Sequence, residues 1–309
     1  MKKTLSLIMA LVLCALSLTT LASCGEKTDY TVGVCQLMKH DSLDQATQGF
    51  IDALSLEMEK AGKTVTIDKQ VAGEATLCST VINTFVSRKV DLIMANATPA
   101  LTAAAEATTD IPVLGTSVTD YLDTFKNKIP KNVSGTSDAV PFDEQAQMMI
   151  DSLKLGKDSK VGVIYCANES NSAVQYSAVK TVFEKNDITV EAYTFSDAAT
   201  ELQGIVNAAA SECDAIYIPS DNTVAQNDTV VGTVCSEKKI PVFTSYASTI
   251  GYASLAIDYY ELGLETGKMA AKILLEGKNP SDFEIMTLTP TVVYNKELCD
   301  ALGVAVPEN

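Results

Sequence analysis

The stretch that decides the fold runs from Val90 to Glu106, VDLIMANATPALTAAAE. Leu92 to Ala95 is a short apolar run of strand length, and at Thr98-Pro99 the pattern changes to an alanine-rich segment with the period of a helix. Thr98 has the chemistry of an N-cap, and Pro99 suits the first helical position. A helix that opens just beyond a strand turns its unpaired N–H groups and the positive end of its dipole outward, which suits a carboxylate or phosphate.

The unit recurs. Cys213 to Asn222 reads CDAIYIPSDN, so Asp91 matches Asp214 and Thr98 matches Asp221 at one spacing (214 − 91 = 123). Val161-Gly162-Val163 repeats Val32-Gly33-Val34, and Ile240-Pro241-Val242 repeats Ile111-Pro112-Val113 (240 − 111 = 129). The chain therefore reads as two copies of one α/β unit. Strand and helix alternate in each, which means parallel strands with crossover helices and ligand sites beyond the carboxyl ends of the strands. The matched strand ends differ in chemistry: a hydroxyl with free amides in one copy, a carboxylate in the other. A zwitterion suits that pair.

Working outward, Thr31 to Leu37 reads as the first strand and Leu43 to Lys60 as its helix, with Ala46, Phe50, Ala53, Leu54 and Met58 on one face. Ile111 to Leu114 is a later strand, so Gln36, His40, Thr98, Thr116, Ser117 and Asp120 are expected at one sheet edge. Tyr121 to Asp138 reads as a connection between domains. In the second copy, Asn168, Glu169, Asn171 and Ser172 form a polar cluster after the strand Lys160 to Cys166, readable as a plain capped turn or as a ligand contact. Asp221-Asn222 carries the same two readings. Tyr246 falls where Ser117 stands in the first copy and either stacks on a ligand ring or packs at a strand end.

At 309 residues the chain is long for one core, and its 47% hydrophobic and 20% charged residues describe a globular protein of two domains. A formal charge of −16 argues against nucleic acid as a partner. Residues 1–24 carry Lys2 and Lys3, an uncharged, mostly apolar run from Leu5 to Leu18, and Leu21-Ala22-Ser23-Cys24, the layout of an export signal. That last run resembles the lipobox of bacterial lipoproteins, which implies acylation at Cys24. The other cysteines outside the signal, Cys35, Cys78, Cys166, Cys213, Cys235 and Cys299, show no CxxC or Cys/His spacing and are expected as small buried hydrophobes.

No nucleophile elbow, phosphate loop, dinucleotide fingerprint or HExxH run is present, and His40 is the single histidine. No metal or other cofactor is expected, and an exported enzyme is the lesser alternative.

Taken together, Gln36 with His40-Asp41-Ser42-Leu43-Asp44, Thr98-Pro99, Ser117-Val118-Thr119-Asp120, Asn168 to Ser172, Asp221-Asn222 and Asp258-Tyr259-Tyr260-Glu261-Leu262-Gly263 resemble the tryptophan/tyrosine-type substrate-binding lipoproteins of ABC transporters. Asp41 and Tyr121 stand where that family often has proline, departures that bear on the ligand's side chain more than on the fold. The resemblance implies a type I periplasmic-binding-protein fold: two Rossmann-like lobes with parallel sheets, joined by a three-stranded hinge. The lobes are expected at residues 30–118 with 249–286, and at 137–247 with 287–309. A lipid-anchored, monomeric receptor on the outer face of the cell membrane is expected, capturing an amino acid for an ABC permease. The expected contacts are Thr98, Thr116 and Ser117 for the carboxylate, Asp221 for the ammonium, and His40, Leu43, Asn168 and Tyr246 for the side chain, with Gln36, Glu169, Asn171, Ser172, Asn222 and Asp258 completing the site. A nucleoside or sugar is the alternative ligand, and a sensor feeding a signalling partner the alternative role.

Overall fold

The computed structural model describes residues 28–196 and 199–306. The expected signal segment and Cys24 lie outside the described residues. The chain opens with β1 (Tyr30–Gln36), α1 (Asp41–Lys60), β2 (Val65–Val71), α2 (Ala75–Arg88), β3 (Leu92–Asn96), α3 (Thr98–Ala107), β4 (Val113–Val118), α4 (Tyr121–Thr124) and β5 (Val133–Ser137). It continues with α5 (Phe142–Leu153), β6 (Lys160–Cys166), α6 (Ser170–Lys185), β7 (Thr189–Phe195), α7 (Ala199–Glu212), β8 (Ala215–Ile218), α8 (Asn222–Gln226), α9 (Asp228–Lys238), β9 (Val242–Thr244) and β10 (Ala253–Ala256). Last come α10 (Tyr259–Glu276), a 3-10 turn at Pro280–Asp282, β11 (Met286–Thr287), β12 (Thr291–Tyr294) and α11 (Lys296–Leu302).

The strands form two sheets, ordered β11-β5-β4-β3-β1-β2 and β12-β10-β9-β8-β6-β7. All pairings are parallel except β10 with β12. Strand order reverses beside β1 in the first sheet and beside β6 in the second. Crevices therefore open beyond the carboxyl ends of these strands.

The internal repeat is visible in bonds as well as in topology. Asp91 Oδ2 accepts from Thr31 N at 2.7 Å, and its counterpart Asp214 Oδ2 accepts from Lys160 N at 2.8 Å, each pinning the start of the neighbouring strand. Pro112 O accepts from Ile93 N at 2.9 Å as Pro241 O does from Ile216 N. Two sequence motifs thus perform the same structural task in each lobe.

Three expected boundaries move. Residues 121–138 are not a bare connection, because β5 pairs with β4 through Val113↔Val133 and extends the first sheet, so the chain first leaves that lobe after Ser137. Residues 253–256, expected in the first lobe, pair with β9 and β12 in the second sheet. The return crossing follows Ala256, and the third follows Thr287, after β11 has paired with β5.

α10 seals the first lobe. Its N-cap Asp258 accepts from Glu261 N at 3.0 Å, and Gly277 in the left-handed conformation ends it. It lies so close to α1 that a Cβ on Gly263 would sit 2.0 Å from Ala46 O, and one on Gly49 2.1 Å from Tyr260 O. That approach buries Phe50, Leu54 and Met58 against Met269, Ala270 and Ile273. The six cysteines within the described residues are all buried, as small apolar side chains in the lobes.

Candidate interlobe binding site

The two sheet edges face each other across a narrow cavity lined by His40, Ser42, Leu43, Ser117, Asp138, Asn171, Ser220, Asp221, Asn222, Ala225, Tyr246 and Tyr259. The first lobe presents the β1–α1 turn. Gln36 braces it from beneath, donating from Nε2 to Met38 O and Asp44 Oδ1, both at 2.7 Å, while its Oε1 accepts from Thr47 Oγ1 at 2.8 Å. His40, Ser42 and Leu43 are thereby held at the amino end of a 20-residue helix whose N-cap side chain makes no capping bond. Beside this turn, the β4 register shifts between Gly115 and Val118, and Ser117 takes φ +54°. Its hydroxyl is buried and unpartnered.

At the hinge, Asp138 Oδ1 accepts from Thr119 Oγ1 and Oδ2 from Tyr259 OH, both at 2.9 Å, so the first and second crossings are tied together. Burial raises the Asp138 carboxyl above the usual range, against the pull of those two hydroxyls.

The second lobe presents carboxylates. Asp221 is 1% exposed; Oδ1 accepts from Val224 N at 2.9 Å, capping α8, and Oδ2 accepts from Cys166 N and Ser172 Oγ, each at 2.8 Å. Burial drives its carboxyl well above the ordinary value, the charge of Glu169 adds to the rise, and the three hydrogen bonds oppose it. Glu169, also buried, accepts at Oε2 from Asn222 N (2.9 Å) and Nδ2 (2.6 Å) and at Oε1 from Thr223 N and Oγ1, both 2.8 Å. Asn171 Nδ2 donates to Ser220 O at 2.7 Å, which turns its Oδ1 away as a buried acceptor with no partner. Tyr246 OH is likewise buried and unpartnered.

Of the expected residues, His40, Leu43, Ser117, Asn171, Asp221, Asn222 and Tyr246 line the cavity. Gln36, Glu169 and Ser172 stand behind it and hold liners in place. Thr116 is spent on a hydroxyl pair with Thr136 at 3.1 Å. Thr98 is buried but stands outside the wall: the cap position belongs to Ala97, at φ 89° and ψ 155°, so Thr98 enters the helix one residue early. Asn168 is exposed and donates to Ser196 O, and Asp258 is the exposed cap of α10. Ser42, Asp138, Ser220, Ala225 and Tyr259 also line the cavity and were not among the expected contacts. Ser220 carried a signal, preceding Asp221 in the repeated unit, whereas Asp138 and Tyr259 meet across 121 residues of sequence.

The lobes touch across the cavity. His40 Nε2 lies 3.2 Å from Asn222 Oδ1, and Gln226 Nε2 donates to Lys39 O at 3.5 Å. The cavity wall holds two buried carboxyl groups, Asp138 and Asp221, with the unpartnered Asn171 Oδ1 and no Lys or Arg. A roomier groove along α10, floored by Met269, Leu275 and Phe283, opens outside the first lobe and carries none of the unpartnered buried groups.

The family model of ABC transporter substrate binding proteins matches residues 31–309. The chain is 34% identical to a tyrosine-binding protein of Clostridioides difficile (strain R20291), over 98% of this chain and 93% of that one. Among solved structures it resembles an ABC domain in complex with L-Trp from Streptococcus pneumonia, with 31% identity, TM-score 0.81, and 89% and 96% of the two chains covered. It also resembles a ligand-free, open substrate binding protein with adhesive properties from Clostridium difficile, with 34% identity, TM-score 0.68, and 91% and 97% covered. The better superposition goes to the liganded relative despite its lower identity, in keeping with lobes that touch. On the repeated two-lobe fold and a match that spans both lobes, the chain belongs to the family of ABC transporter substrate binding proteins.

Proposed function

We propose that this protein captures an aromatic amino acid between its lobes and delivers it to an ABC permease, without altering it. The observation that carries the reading is the set of Ser117 Oγ, Asn171 Oδ1 and Tyr246 OH, buried polar atoms from both lobes that lack partners and line one cavity. An unpaired buried polar atom costs about 1–3 kcal/mol, so a ligand that satisfies three at once gains differential affinity for the closed form.

Chemistry assigns the ends of the ligand. Asn171 Oδ1 and the free lone pair of Asp221 Oδ1 are both acceptors, and together they suit an ammonium. Ser117 Oγ, Ser42 and the amino end of α1 suit the carboxylate. Leu43, Tyr246 and Tyr259 form the wall for a ring, which fits the tyrosine-binding and L-Trp-bound relatives. Thr98 and Thr116, first expected at the carboxylate, have no part in this arrangement.

The described residues contain no helix long and apolar enough to cross a membrane. Acylation at Cys24 would then hold a monomeric receptor at the outer face of the cell membrane, where a chain of charge −16 has no use for nucleic acid. The test is calorimetric titration of residues 28–309 with each of the twenty amino acids and with N-acetyl-tyrosine. L-tyrosine or L-tryptophan is expected to bind and the N-acetyl compound, lacking the ammonium, to fail. Heat from a sugar or nucleoside and from no amino acid would reject the assignment.

A further inference from the structure

The contact between His40 and Asn222 has an anchor behind it. Asn222 Nδ2 donates to Glu169 Oε2 at 2.6 Å, and backbone N–H groups of Asn222 and Thr223 donate to the two Glu169 oxygens, at 2.9 and 2.8 Å, which marks both as acceptors. Glu169 therefore dictates which way the Asn222 amide faces. Its Nδ2 must point inward and its Oδ1 across the cleft. His40 Nε2, 3.2 Å from that Oδ1, must then carry the hydrogen. Glu169 has no place in the cavity wall, and its four accepted hydrogens come from the first residues of α8. Its geometry holds α8 and Asn222 rather than a ligand.

We infer that Glu169, Asn222 and His40 form a clasp in which Glu169 is the positioning residue, setting the Asn222 amide so that it accepts from His40 and locks the lobes over a bound ligand. Glu169 thereby acts on ligand retention from behind the wall. The clasp exists only when the lobes meet, because His40 belongs to the first lobe and the other two to the second. It rests on the reading of a receptor that closes on its ligand, but not on the ligand's identity.

His40 is the only histidine, so a tag-free protein labelled with 15N-histidine reports the clasp through one residue. With saturating L-tyrosine or L-tryptophan, the His40 ring is expected as the Nε2–H form, with that hydrogen exchanging with water at least about 10-fold more slowly than in free histidine, as a closed hydrogen bond requires. Glu169→Ala should abolish the protection and release ligand about 5-fold faster with an unchanged association rate, the worth of one hydrogen bond. Glu169→Gln should restore part of both, since its oxygen can still accept from Asn222 N and Nδ2, while its new NH2 can donate to Thr223 Oγ1 but no longer accepts from Thr223 N. A fast-exchanging ring in the saturated wild type would overturn the clasp. So would Glu169→Ala lowering the melting temperature with no change in release, because Glu169 would then serve folding alone. In a ligand-free arm, His40→Cys combined with Asn222→Cys is treated with a short homobifunctional maleimide, because residues that meet at their side-chain tips stand farther apart than a disulfide spans. A cross-link between the lobes supports the clasp even if neither amino acid binds, in which case only the ligand assignment falls, and the absence of a cross-link with or without ligand overturns the clasp.

Discussion

The two walls of the cavity descend from one repeated unit and do opposite work. Where the first lobe ends its strands, the backbone is strained, with Ala97 at φ 89° and Ser117 at φ 54°, and the exposed chemistry is neutral. At the matching edge of the second lobe, Asp221 and Glu169 are buried together and fed by seven hydrogen bonds. One copy stores its cost in dihedral angles and the other in charge. The difference teaches that duplication fixes where a site lies and leaves its chemistry free to diverge.

The sharpest way to break this contrast is Asp221→Asn, which makes the second wall as neutral as the first. Its affinity for the amino-acid ligand should fall by about 3 kcal/mol, on the order of a hundredfold in Kd by calorimetry, because the ammonium loses its buried counter-charge. Equal affinity in the variant would mean that the charge serves the lobe and not the ligand. The same carboxyl sets a pH dependence. Its folded-state pKa is raised, so its contribution to the unliganded protein is full below the unfolded value of 3.8 and is lost as pH rises through the raised value. A bound ammonium offsets that loss. The melting-temperature gain on adding L-tyrosine should therefore grow as pH rises from 3.8 through the raised value, and Asp221→Asn should flatten the trend.

On the first wall the corresponding test is Ala97→Gly. The φ, ψ pair at Ala97 lies near a region that glycine alone occupies freely, so the substitution should stabilise the protein by about 1–2 kcal/mol, less the entropy glycine gains when unfolded. Melting should rise by about 2–4 °C, and a fall would show that the strain is not stored there. The smallest effect is expected at Tyr246→Phe. Deleting an unpartnered buried hydroxyl should raise the unliganded protein's stability by about 1 kcal/mol and weaken ligand binding by a similar amount. Chemical denaturation and calorimetry would read those opposite signs, and a loss of stability without ligand would show the hydroxyl to be satisfied.

Much of this was legible in the sequence because it is written in local patterns. The strand and helix periods, the paired spacings of 123 and 129, and the polar run at Asn168 to Ser172 needed no distant information. Asp221 was found because capping chemistry and strand-end position coincide there. Thr98 misled for the same reason: it has the residue type of a cap, yet Ala97 takes the cap position by adopting a dihedral that its type disfavours. Asn168 and Asp258 have the composition of contacts but are exposed and spend their side chains on Ser196 O and Glu261 N, which only the fold decides. β5 and β10 were misassigned because short strands such as Val133–Ser137 and Ala253–Ala256 declare their sheet through their partners. The Asp138–Tyr259 bond joins two crossings whose closeness exists only in the fold.

The return of α10 to the first lobe has a consequence for how the protein comes into being. The apolar face of α1 is covered by residues synthesised some two hundred positions later, with glycines at the seam that tolerate no substitute cover. A nascent chain that ends before Tyr259 holds β1 to β5 and cannot complete their lobe, while the second lobe already has most of its strands. The half that emerges first is thus the half that must wait, its lobe incomplete until about the last sixth of the chain follows.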